Sequence, residues 1–383
     1  MDFVIDESKC TGCTACMNIC PKKAILMDTN KEGFKYPVVN NKKCINCGLC
    51  KKICPVLKEN YLDALNKCYV GFNKEISELI NSSSGAIFPI IANYILEENG
   101  VIIGATFNEK KQLKHIAVTN KENLYKLKGS KYLQSDLNDI FMYIKYNIEK
   151  NKILFVGTPC QVAGLKAFLK NDYHNLLCID FICHGVPSPK LFEKYIKELE
   201  HKYNDKIINY NFRDKKTGWS NYSNTAIFKK RKISQIYKEN EYMRLFLSDI
   251  ALRKSCYNCK FKLGNKHSDI TLGDFWGVKK YHPEIYNEKG VSAIILNTKR
   301  GEGIFEKIKN NLIYKECELN EIIDGNPSLI NSSKDNKMRD EFFLEMKEKT
   351  IQELSKQYLP KTNSIKKGIT KIKNKIKTKC RLI

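Results

Sequence analysis

The fold of the first part of this chain is decided by the stretch Cys10-Thr-Gly-Cys13-Thr-Ala-Cys16-Met-Asn-Ile-Cys20-Pro21. The same pattern, C-x2-C-x2-C-x3-C-P, recurs at Cys44, Cys47, Cys50, Cys54 and Pro55. Three thiolates at intervals of three residues wrap a turn of backbone around one 4Fe-4S cube, and the fourth reaches the cube of the other half. The repeat therefore predicts two 4Fe-4S clusters near the N-terminus.

This crossed arrangement also predicts which cysteines share a cluster. One set is Cys10, Cys13, Cys16 and Cys54, and the other is Cys44, Cys47, Cys50 and Cys20. Zinc is disfavoured because zinc ribbons use pairs of C-x2-C knuckles rather than four cysteines that end in C-P. The C-x3-C-x2-C signature of S-adenosylmethionine radical proteins is absent from the sequence. Residues 1–60 resemble a bacterial two-cluster ferredoxin, which implies a role in electron relay.

The composition excludes several classes of protein. The 383 residues are 42% hydrophobic and 28% charged, which suits two or three globular domains rather than a disordered or fibrous chain. No apolar run approaches the roughly 18 residues that span a bilayer, and the N-terminus lacks the features of a secretory signal. We therefore expect a cytoplasmic protein whose cysteines serve metal binding rather than disulfides.

The net charge of +24 does not by itself indicate nucleic-acid binding. Only seven of the 66 basic residues are Arg, whereas recognition of phosphate and bases favours the Arg fork. A solvated lysine surface is the preferred interpretation, and we expect no nucleic-acid partner.

The C-terminal stretch 361–383 is the exception, because it holds eight Lys, one Arg and no acidic residue. Its isoleucines, Ile365, Ile369, Ile372 and Ile376, recur at helical spacing with Lys between them. Anionic lipid attracts roughly 1 kcal/mol per nearby basic residue, so we expect this tail to contact the inner face of the membrane. A tail without fixed structure, or one docked on the body, is the alternative.

Two predicted strand-turn-helix units place further cysteines at strand ends. The buried run 152–156 leads into Gly157-Thr158-Pro159-Cys160, where Thr158 suits the helix N-cap and Pro159 the first helical position. The macrodipole of that helix favours a Cys160 thiolate. A second strand, 176–182, ends at Cys183-His184. Ligands in α/β sheets usually bind at such strand ends.

A third four-thiolate site is the economical interpretation of the later cysteines. Cys256 and Cys259 form another C-x2-C knuckle, to which Cys160 and Cys183 add two thiols. A third 4Fe-4S cluster is expected, and zinc stays open because this is a generic tetrahedral pattern. The remaining cysteines, Cys68, Cys178, Cys317 and Cys380, lack such a context and are expected to have no metal role.

Several motifs follow one another in an order known from one family. They are Ser83-Ser-Gly85, Gly129-Ser-Lys-Tyr-Leu-Gln-Ser135, 157–164, 183–188, Phe212-Arg-Asp214, 255–259 and 269–277. Over about residues 70–300 they resemble the beta subunit of coenzyme F-420 hydrogenases and dehydrogenases. Two positions depart from the family pattern: Ala86 replaces a second glycine, and Lys266-His267 stands where an Arg is usual.

This resemblance implies FAD, a 4Fe-4S cluster beside it and, in many members, a ferredoxin domain in front. By resemblance, Cys160, Cys183, Cys256 and Cys259 are the cluster ligands. The flavin contacts implied are Ser83, Ser84, Gly85, Gly129, Ser130, Lys131, Tyr132, Gln134, Ser135 and Thr158. Relatives reduce the deazaflavin coenzyme, a chlorophyll derivative or unidentified substrates in polysaccharide gene neighbourhoods.

These observations predict an α+β fold made of several parts. We expect a ferredoxin-like domain at 1–60, a linker at 61–78, an α/β domain that binds FAD and a cluster at 79–330, and a helical, Lys-rich region at 331–383.

The predicted function is that of an iron-sulfur flavoprotein oxidoreductase, which passes electrons between the ferredoxin-type clusters and FAD. It would exchange them with a redox partner protein or a small-molecule acceptor. His184 and Asp274 are candidate proton donors because they flank the cluster and flavin motifs. The alternative is a non-catalytic electron-transfer subunit of a larger redox complex.

Overall fold

The computed structural model describes residues 5–58, 67–264 and 266–360 of the chain. Its N-terminal part is a small ferredoxin-like domain built around the two cysteine motifs. The elements there are α1 (Ala15–Ile19), β1 (Ile25–Thr29), β2 (Lys35–Val39) and α2 (Leu49–Lys52). The strands β1 and β2 pair as an antiparallel hairpin between the two motifs. Each short helix begins inside its cysteine motif, so the domain consists of two similar loop-helix units joined by a hairpin.

The rest of the described chain forms one large α/β domain followed by two C-terminal helices. The strands are β3 (Lys67–Asn73), β4 (Val101–Phe107), β5 (Leu113–Val118), β6 (Ile153–Val156), β7 (Leu176–Phe181), β8 (Ile207–Asp214), β9 (Ser223–Phe228), β10 (Lys232–Ile236), β11 (Ile270–Asp274), β12 (Ser292–Leu296) and β13 (Leu312–Cys317). The helices are α3 (Ile76–Asn81), α4 (Ile87–Glu97), α5 (Ile140–Asn147), α6 (Pro159–Leu169), α7 (Pro189–Tyr203), α8 (Glu241–Leu247), α9 (Val278–Tyr281), α10 (Lys299–Ile308), α11 (Leu319–Gly325), α12 (Arg339–Glu345) and α13 (Ile351–Tyr358).

An eight-stranded mixed sheet is the scaffold of the large domain. Its strand order is β13-β3-β12-β11-β7-β6-β4-β5. The central strands β4, β6, β7 and β11 run parallel, and antiparallel strands flank them on both sides. In β6, Ile153, Leu154 and Phe155 are all fully buried, as expected for a strand covered on both faces. The strands β8, β9 and β10 form a separate antiparallel sheet.

Part of the segment expected to be a linker, 61–78, instead forms the second strand from one edge of this sheet. Residues 67–73 form β3, which pairs with β12 on one side and β13 on the other. Val70 in this strand is fully buried. Tyr69, Val70 and Phe72 have high β-propensity, and pairing on both sides stabilises β3. The large domain therefore begins before residue 79.

The C-terminal region begins with two helices that pack on the body. Phe342 of α12 and Leu354 of α13 are buried in the same core cluster as Leu191 of α7 and Phe246 of α8. The basic stretch 361–383, with its predicted isoleucine stripe, membrane contact and Cys380, lies outside the described residues. Among the residues that are described, no helix is long and apolar enough to cross a membrane.

Candidate redox site

The parallel strands bring distant motifs to one edge of the main sheet. Thr158 and Cys160 follow β6, Cys183 and His184 follow β7, and Asp274 ends β11. All five residues line one cavity of about 500 Å³, which we call the central cavity. Neighbouring parallel strands end at the same edge, which is why segments far apart in the sequence meet here.

The start of α6 has the local structure that the sequence predicts. Thr158 is the N-cap, Pro159 occupies the first turn, and the Gln161 side chain accepts a hydrogen bond from the Thr158 backbone N–H at 2.9 Å. The Cys160 thiol lies 3.1 Å from Thr158 Oγ1. Burial raises the pKa of Cys160 to about 11, so without bound metal the thiol stays protonated at neutral pH. Desolvation thus outweighs the helix macrodipole that we expected to favour a thiolate.

The cysteines of the ferredoxin domain surround two cavities. One cavity is lined by Cys10, Cys13, Cys16 and Cys54, and the other by Cys20, Cys44, Cys47 and Cys50. Each set therefore combines three cysteines of one motif with the last cysteine of the other, which is the combination that the crossed pattern predicts. We call the first set the inner site because most of its cysteines are buried, and the second the outer site because Cys47 is exposed.

The two motifs also share an unusual backbone conformation. The second and fourth residues after the first cysteine have positive φ in both: Gly12 (69°) and Thr14 (63°) at the inner site, Asn46 (54°) and Gly48 (69°) at the outer site. Left-handed residues of this kind turn the backbone so that amide groups line a concave surface, as they do around iron-sulfur clusters. The four thiols and this backbone shape fit a 4Fe-4S cluster at each site.

A third cavity lies where the ferredoxin domain meets the large domain. It is lined by Cys160, Cys183, Cys256 and Cys259, and also by Thr11 of the ferredoxin domain. We call these four cysteines the third site, and a set of four thiols suits a 4Fe-4S cluster. In the described part of the chain, no group of three or more His, Cys, Asp or Glu side chains is arranged to hold a single metal ion.

One helix connects the inner site to the third site. A Cβ atom added to Gly164 of α6 would lie 2.8 Å from Cys13 Cβ and 2.9 Å from Cys13 Sγ. Cys160 precedes Gly164 by four residues, so the two lie on the same face of α6, separated by a rise of about 6 Å. The two sites are therefore about one helical turn apart.

Nine of the ten residues implied as flavin contacts line the central cavity. They are Ser83, Ser84, Gly129, Ser130, Lys131, Tyr132, Gln134, Ser135 and Thr158. The tenth, Gly85, is a packing residue: its N–H donates to Ser292 Oγ at 2.8 Å, and an added Cβ would lie 2.5 Å from the Gly71 carbonyl oxygen. Gly85 thus allows the loop of Ser82, Ser83 and Ser84, which we call the serine loop, to lie against β3.

Hydrogen bonds join the two loops that carry most of these residues. Ser83 Oγ accepts from the Ser130 backbone N–H at 2.7 Å. The Lys131 ammonium donates to the carbonyl oxygens of Leu127, Lys128 and Gly129 at 2.8 to 3.2 Å. Burial lowers the pKa of Lys131 to about 7. An anionic group in the cavity would favour the protonated form of this lysine.

Two of the expected flavin contacts use their polar groups elsewhere. Gln134 donates to the Thr11 carbonyl oxygen at 3.1 Å and accepts from Arg253 at 2.9 Å. Ser135 Oγ accepts from the Gln161 amide at 2.9 Å. Gln134 therefore joins the large domain to the inner-site loop, and the sequence did not indicate this contact.

His184 is held from both ring nitrogens at the border between the third site and the central cavity. Its Nε2 lies 2.5 Å from Asp249 Oδ1, and its Nδ1 lies 3.3 Å from Ser328 Oγ. It lines both cavities. This position allows a proton to be held at the edge of the central cavity.

Asp274 has a different environment, because its carboxylate is fully engaged by partners. Arg213 donates to its two oxygens at 2.9 and 3.0 Å, Trp219 Nε1 donates at 2.5 Å and Ser84 Oγ donates at 2.7 Å. Burial opposes ionisation, but Arg213 and these hydrogen bonds outweigh it and lower the pKa of Asp274. A carboxylate with this environment is a poor proton donor at neutral pH, and it anchors the serine loop instead.

Arginine is the signal that could have indicated such anchors in the sequence. Arg213, Arg253 and Arg339 are all buried, in a chain that otherwise uses Lys almost everywhere. Arg213 lies 4.2 Å from the centre of the Tyr222 ring and 5.4 Å from the Trp276 ring. A bidentate or stacked site requires the planar fork that Lys lacks, which explains why these three buried positions carry Arg.

The two departures from the family pattern have structural consequences. Ala86 has φ of 57° at the N-cap of α4, a conformation that favours glycine. Lys266 forms a buried ion pair with Asp180 at 3.0 Å, and Thr271 donates to the same carboxylate at 2.6 Å. Lys266 also lines the third-site cavity. The lysine of a buried ion pair therefore stands beside this site.

The cysteines without an assigned role lie apart from the three sites. Cys68, Cys178 and Cys317 are buried in the core, and none of them lines a cavity described above. Cys68 of β3 and Cys317 of β13 are register partners in the sheet.

Comparison with known proteins identifies the two domain types. Residues 150–322 match the family model that describes the C terminus of the coenzyme F420 hydrogenase/dehydrogenase beta subunit, and residues 9–57 match the 4Fe-4S dicluster domain. The predicted resemblance to both families is confirmed. The beta-subunit domain match includes β6, β7 and β11 and all four cysteines of the third site.

Two further proteins are similar to the chain, each with less than 25% sequence identity. The coenzyme F420-dependent sulfite reductase of Methanocaldococcus jannaschii is 24% identical over 333 residues, which cover 82% of this chain and 48% of the relative. The chain thus spans about half the length of that relative. In a xenon-derivatised structure of the F420-reducing NiFe hydrogenase complex from Methanosarcina barkeri, one chain aligns with a TM-score of 0.48 and 16% identity, covering 70% of this chain and 92% of that chain.

Proposed function

We propose that the protein is a flavin-dependent iron-sulfur oxidoreductase that passes electrons between ferredoxin-type clusters and FAD, and so reduces or oxidises a two-electron substrate. One observation carries the proposal. The central cavity, of about 500 Å³, is lined both by Cys160 and Cys183 of the third site and by nine residues implied as flavin contacts. A cluster and a flavin held by these residues would be neighbours.

The chemistry of the cofactors is their own: iron-sulfur cubes exchange single electrons, whereas a flavin can exchange one or two. The protein supplies the order of the sites. The outer site reaches the surface at Cys47, and most inner-site cysteines are buried. Cys13 packs against Gly164 of α6, the helix whose first turn carries Cys160. This order suits electron transfer between the surface and the central cavity.

We assign the role of proton donor to His184 rather than to Asp274. His184 contacts Asp249 and Ser328 and borders the central cavity. The Asp249 carboxylate holds this imidazole in one orientation at the edge of the cavity. Asp274 forms an ion pair with Arg213, which favours its deprotonated form.

Lys131 is the residue that we assign to an anionic part of the flavin, such as its diphosphate, which would replace one of the three carbonyl oxygens that accept from its ammonium. Ser83 and Ser130 hold the two loops that present it to the cavity. The substrate itself is assigned only by class, as a two-electron acceptor or donor; a role in polysaccharide metabolism is one setting that the family resemblance implies.

A non-catalytic role as an electron-transfer subunit is the second candidate function. One observation favours it: the chain spans only about half the length of the sulfite reductase relative. A separate catalytic partner would then receive the electrons.

Anaerobic purification with iron, sulfide and flavin counted per chain tests the proposal. Three 4Fe-4S clusters give about twelve iron atoms per chain, together with one FAD, and the isolated protein should turn over an artificial two-electron acceptor. Eight iron atoms would exclude a third cluster. Absence of flavin, or bound flavin that no reductant reaches through the clusters, would favour the non-catalytic alternative.

A further inference from the structure

The outer site lies beneath a surface that is rich in lysine and poor in acid. Its cysteines are flanked in sequence by six exposed lysines: Lys22, Lys23, Lys42, Lys43, Lys51 and Lys52. Residues 33–58 contain no Asp or Glu. None of the six lysines forms an ion pair with a carboxylate in the described ranges 5–58, 67–264 and 266–360. Their charge is therefore available to a partner.

Apolar side chains lie within the same surface. Ile45 and Leu57 are 56% and 48% exposed, and both line the outer-site cavity beside the exposed Cys47. One carboxylate, Asp6, also lines this cavity, and it accepts a hydrogen bond from the Ser8 N–H at 2.6 Å. We call the six lysines together with Ile45 and Leu57 the outer-site surface.

We propose that the outer-site surface docks an acidic one-electron carrier protein of the ferredoxin class. The proposal rests on the function proposed above, because it requires the outer site to hold a cluster that a partner approaches. Unpaired positive charge steers an acidic protein toward the surface. Apolar contact at Ile45 and Leu57 then excludes water and brings the partner close to Cys47, the most accessible thiol of the outer site.

The composition of this surface favours a protein over a nucleic acid. Residues 5–58 contain no Arg, whereas recognition of phosphate and bases relies on the Arg fork. Weak redox complexes need only a small contact area. The exposed lysines, of which Lys22 and Lys51 line the same cavity as Ile45 and Leu57, supply the long-range attraction, and the two apolar residues supply the short-range contact.

Binding is measured by biolayer interferometry with the full chain, purified with its clusters under anaerobic conditions. The probe is a purified, strongly acidic bacterial two-cluster ferredoxin. The variant Lys22→Glu/Lys43→Glu/Lys51→Glu should weaken binding about tenfold or more at low salt, and high salt should weaken binding of the parent as well. The control variant, Lys110→Glu/Lys229→Glu/Lys307→Glu, carries the same net charge change on exposed lysines of the large domain and should bind as the parent does.

Two further variants keep the test decisive if charge reversal impairs cluster assembly. The neutral Lys22→Gln/Lys43→Gln/Lys51→Gln triple should weaken binding by a smaller factor. Ile45→Gln should also weaken binding, whereas Ile313→Gln, at a similarly exposed position on β13, should not. Unchanged binding in the outer-site variants, or equal loss in the control triple, would overturn the proposal.

The same samples separate this proposal from the function on which it rests. Iron and flavin content and turnover with a chemical reductant test the oxidoreductase without any protein partner. Full cofactor content and turnover without charge-dependent ferredoxin binding would overturn the docking surface alone. Charge-dependent binding by a chain that lacks flavin would support the docking surface and contradict the flavin-dependent function.

Discussion

Arg253 Nε donates a hydrogen bond to the carbonyl oxygen of Cys10 at 2.7 Å. The same guanidinium donates to Gln134 Oε1 at 2.9 Å and to the Lys35 carbonyl oxygen at 3.0 Å, and it lies 4.1 Å from the centre of the Tyr36 ring. Arg253 is only 1% exposed and precedes Cys256 by three residues. One side chain thus joins the loops of the inner and third sites.

Replacing Arg253 should weaken the contact between the ferredoxin domain and the large domain. Arg253→Lys removes the planar fork, so at least one of the three acceptors loses its donor in a buried site. We expect a loss of about 2 kcal/mol or more in the free energy of unfolding, seen as a lower thermal midpoint and faster proteolysis between the domains. Arg231→Lys is the control, because Arg231 is exposed and its ion pair with Asp205 is long, at 3.8 Å. Equal effects of the two changes would contradict the anchoring role of Arg253.

Substitution of Gly164 tests the contact between α6 and the inner site. Gly164→Ala places a methyl group within 3 Å of Cys13, so it should alter the spectroscopic signal of the inner cluster even though Ala is the better helix former. Gly303→Ala in α10 meets no atom within 4 Å and should stabilise that helix by about 1 kcal/mol. Electron paramagnetic resonance of both reduced variants provides the comparison. An unchanged inner-cluster signal in Gly164→Ala would show that Cys13 is not against α6.

Asp274 is expected to act as an anchor. Asp274→Asn leaves Arg213 without its buried counter-charge and should cost about 3 kcal/mol or more. Asp324→Asn removes the partner of Lys280 in an exposed pair, with 51% of the Asp324 side chain exposed, and should leave the thermal midpoint almost unchanged because solvent screens the pair. Thermal unfolding of both variants tests this difference. If Asp274→Asn abolished turnover while stability stayed unchanged, Asp274 would be the proton donor after all.

Flavin binding should depend on pH through Lys131. Burial places the pKa of this lysine at about 7 in the flavin-free chain, and an anionic diphosphate should raise it. The protonated form binds the anion, so FAD affinity should be highest below pH 7 and fall as pH rises above it. His115 beside Lys131 has a pKa lowered to about 4 by burial and adds no charge in this range. Lys131→Met should bind FAD more weakly and lose most of this pH dependence; a variant with the parent's profile would exclude Lys131 from the flavin site.

The crossed ligand sets predict paired spectroscopic effects. Cys54→Ser and Cys13→Ser should change the signal of one cluster, and Cys20→Ser and Cys47→Ser that of the other. Mössbauer or electron paramagnetic resonance spectra of the reduced variants resolve the two. Cys317→Ser should change neither signal, because Cys317 lies in β13 away from the three sites. Matching effects of Cys54→Ser and Cys47→Ser would reverse the assignment.

Local sequence was sufficient where chemistry depends on residues close together in the chain. The spacing of Cys10, Cys13 and Cys16 predicts one wrapped loop, and Gly157-Thr158-Pro159 predicts the start of α6, because capping and knuckle geometry involve only neighbouring backbone groups. The order of motifs along the chain carried the resemblance to the beta-subunit family, and the cysteine repeat carried the resemblance to a two-cluster ferredoxin; both resemblances were confirmed. Local sequence also predicted that the strand ends carry the site.

Tertiary structure decided the features that depend on contacts between distant residues. β3 is a strand because β12 and β13 pair with it, although its own residues read as a linker. Gln134 and Arg253 join two domains, and Asp274 is ionised because Arg213 lies beside it. Burial, and not the helix macrodipole, sets the pKa of Cys160. The sequence by itself determined which groups are available for redox chemistry; their charge states and partners were decided by packing, because desolvation and long-range hydrogen bonds exist only in the folded chain.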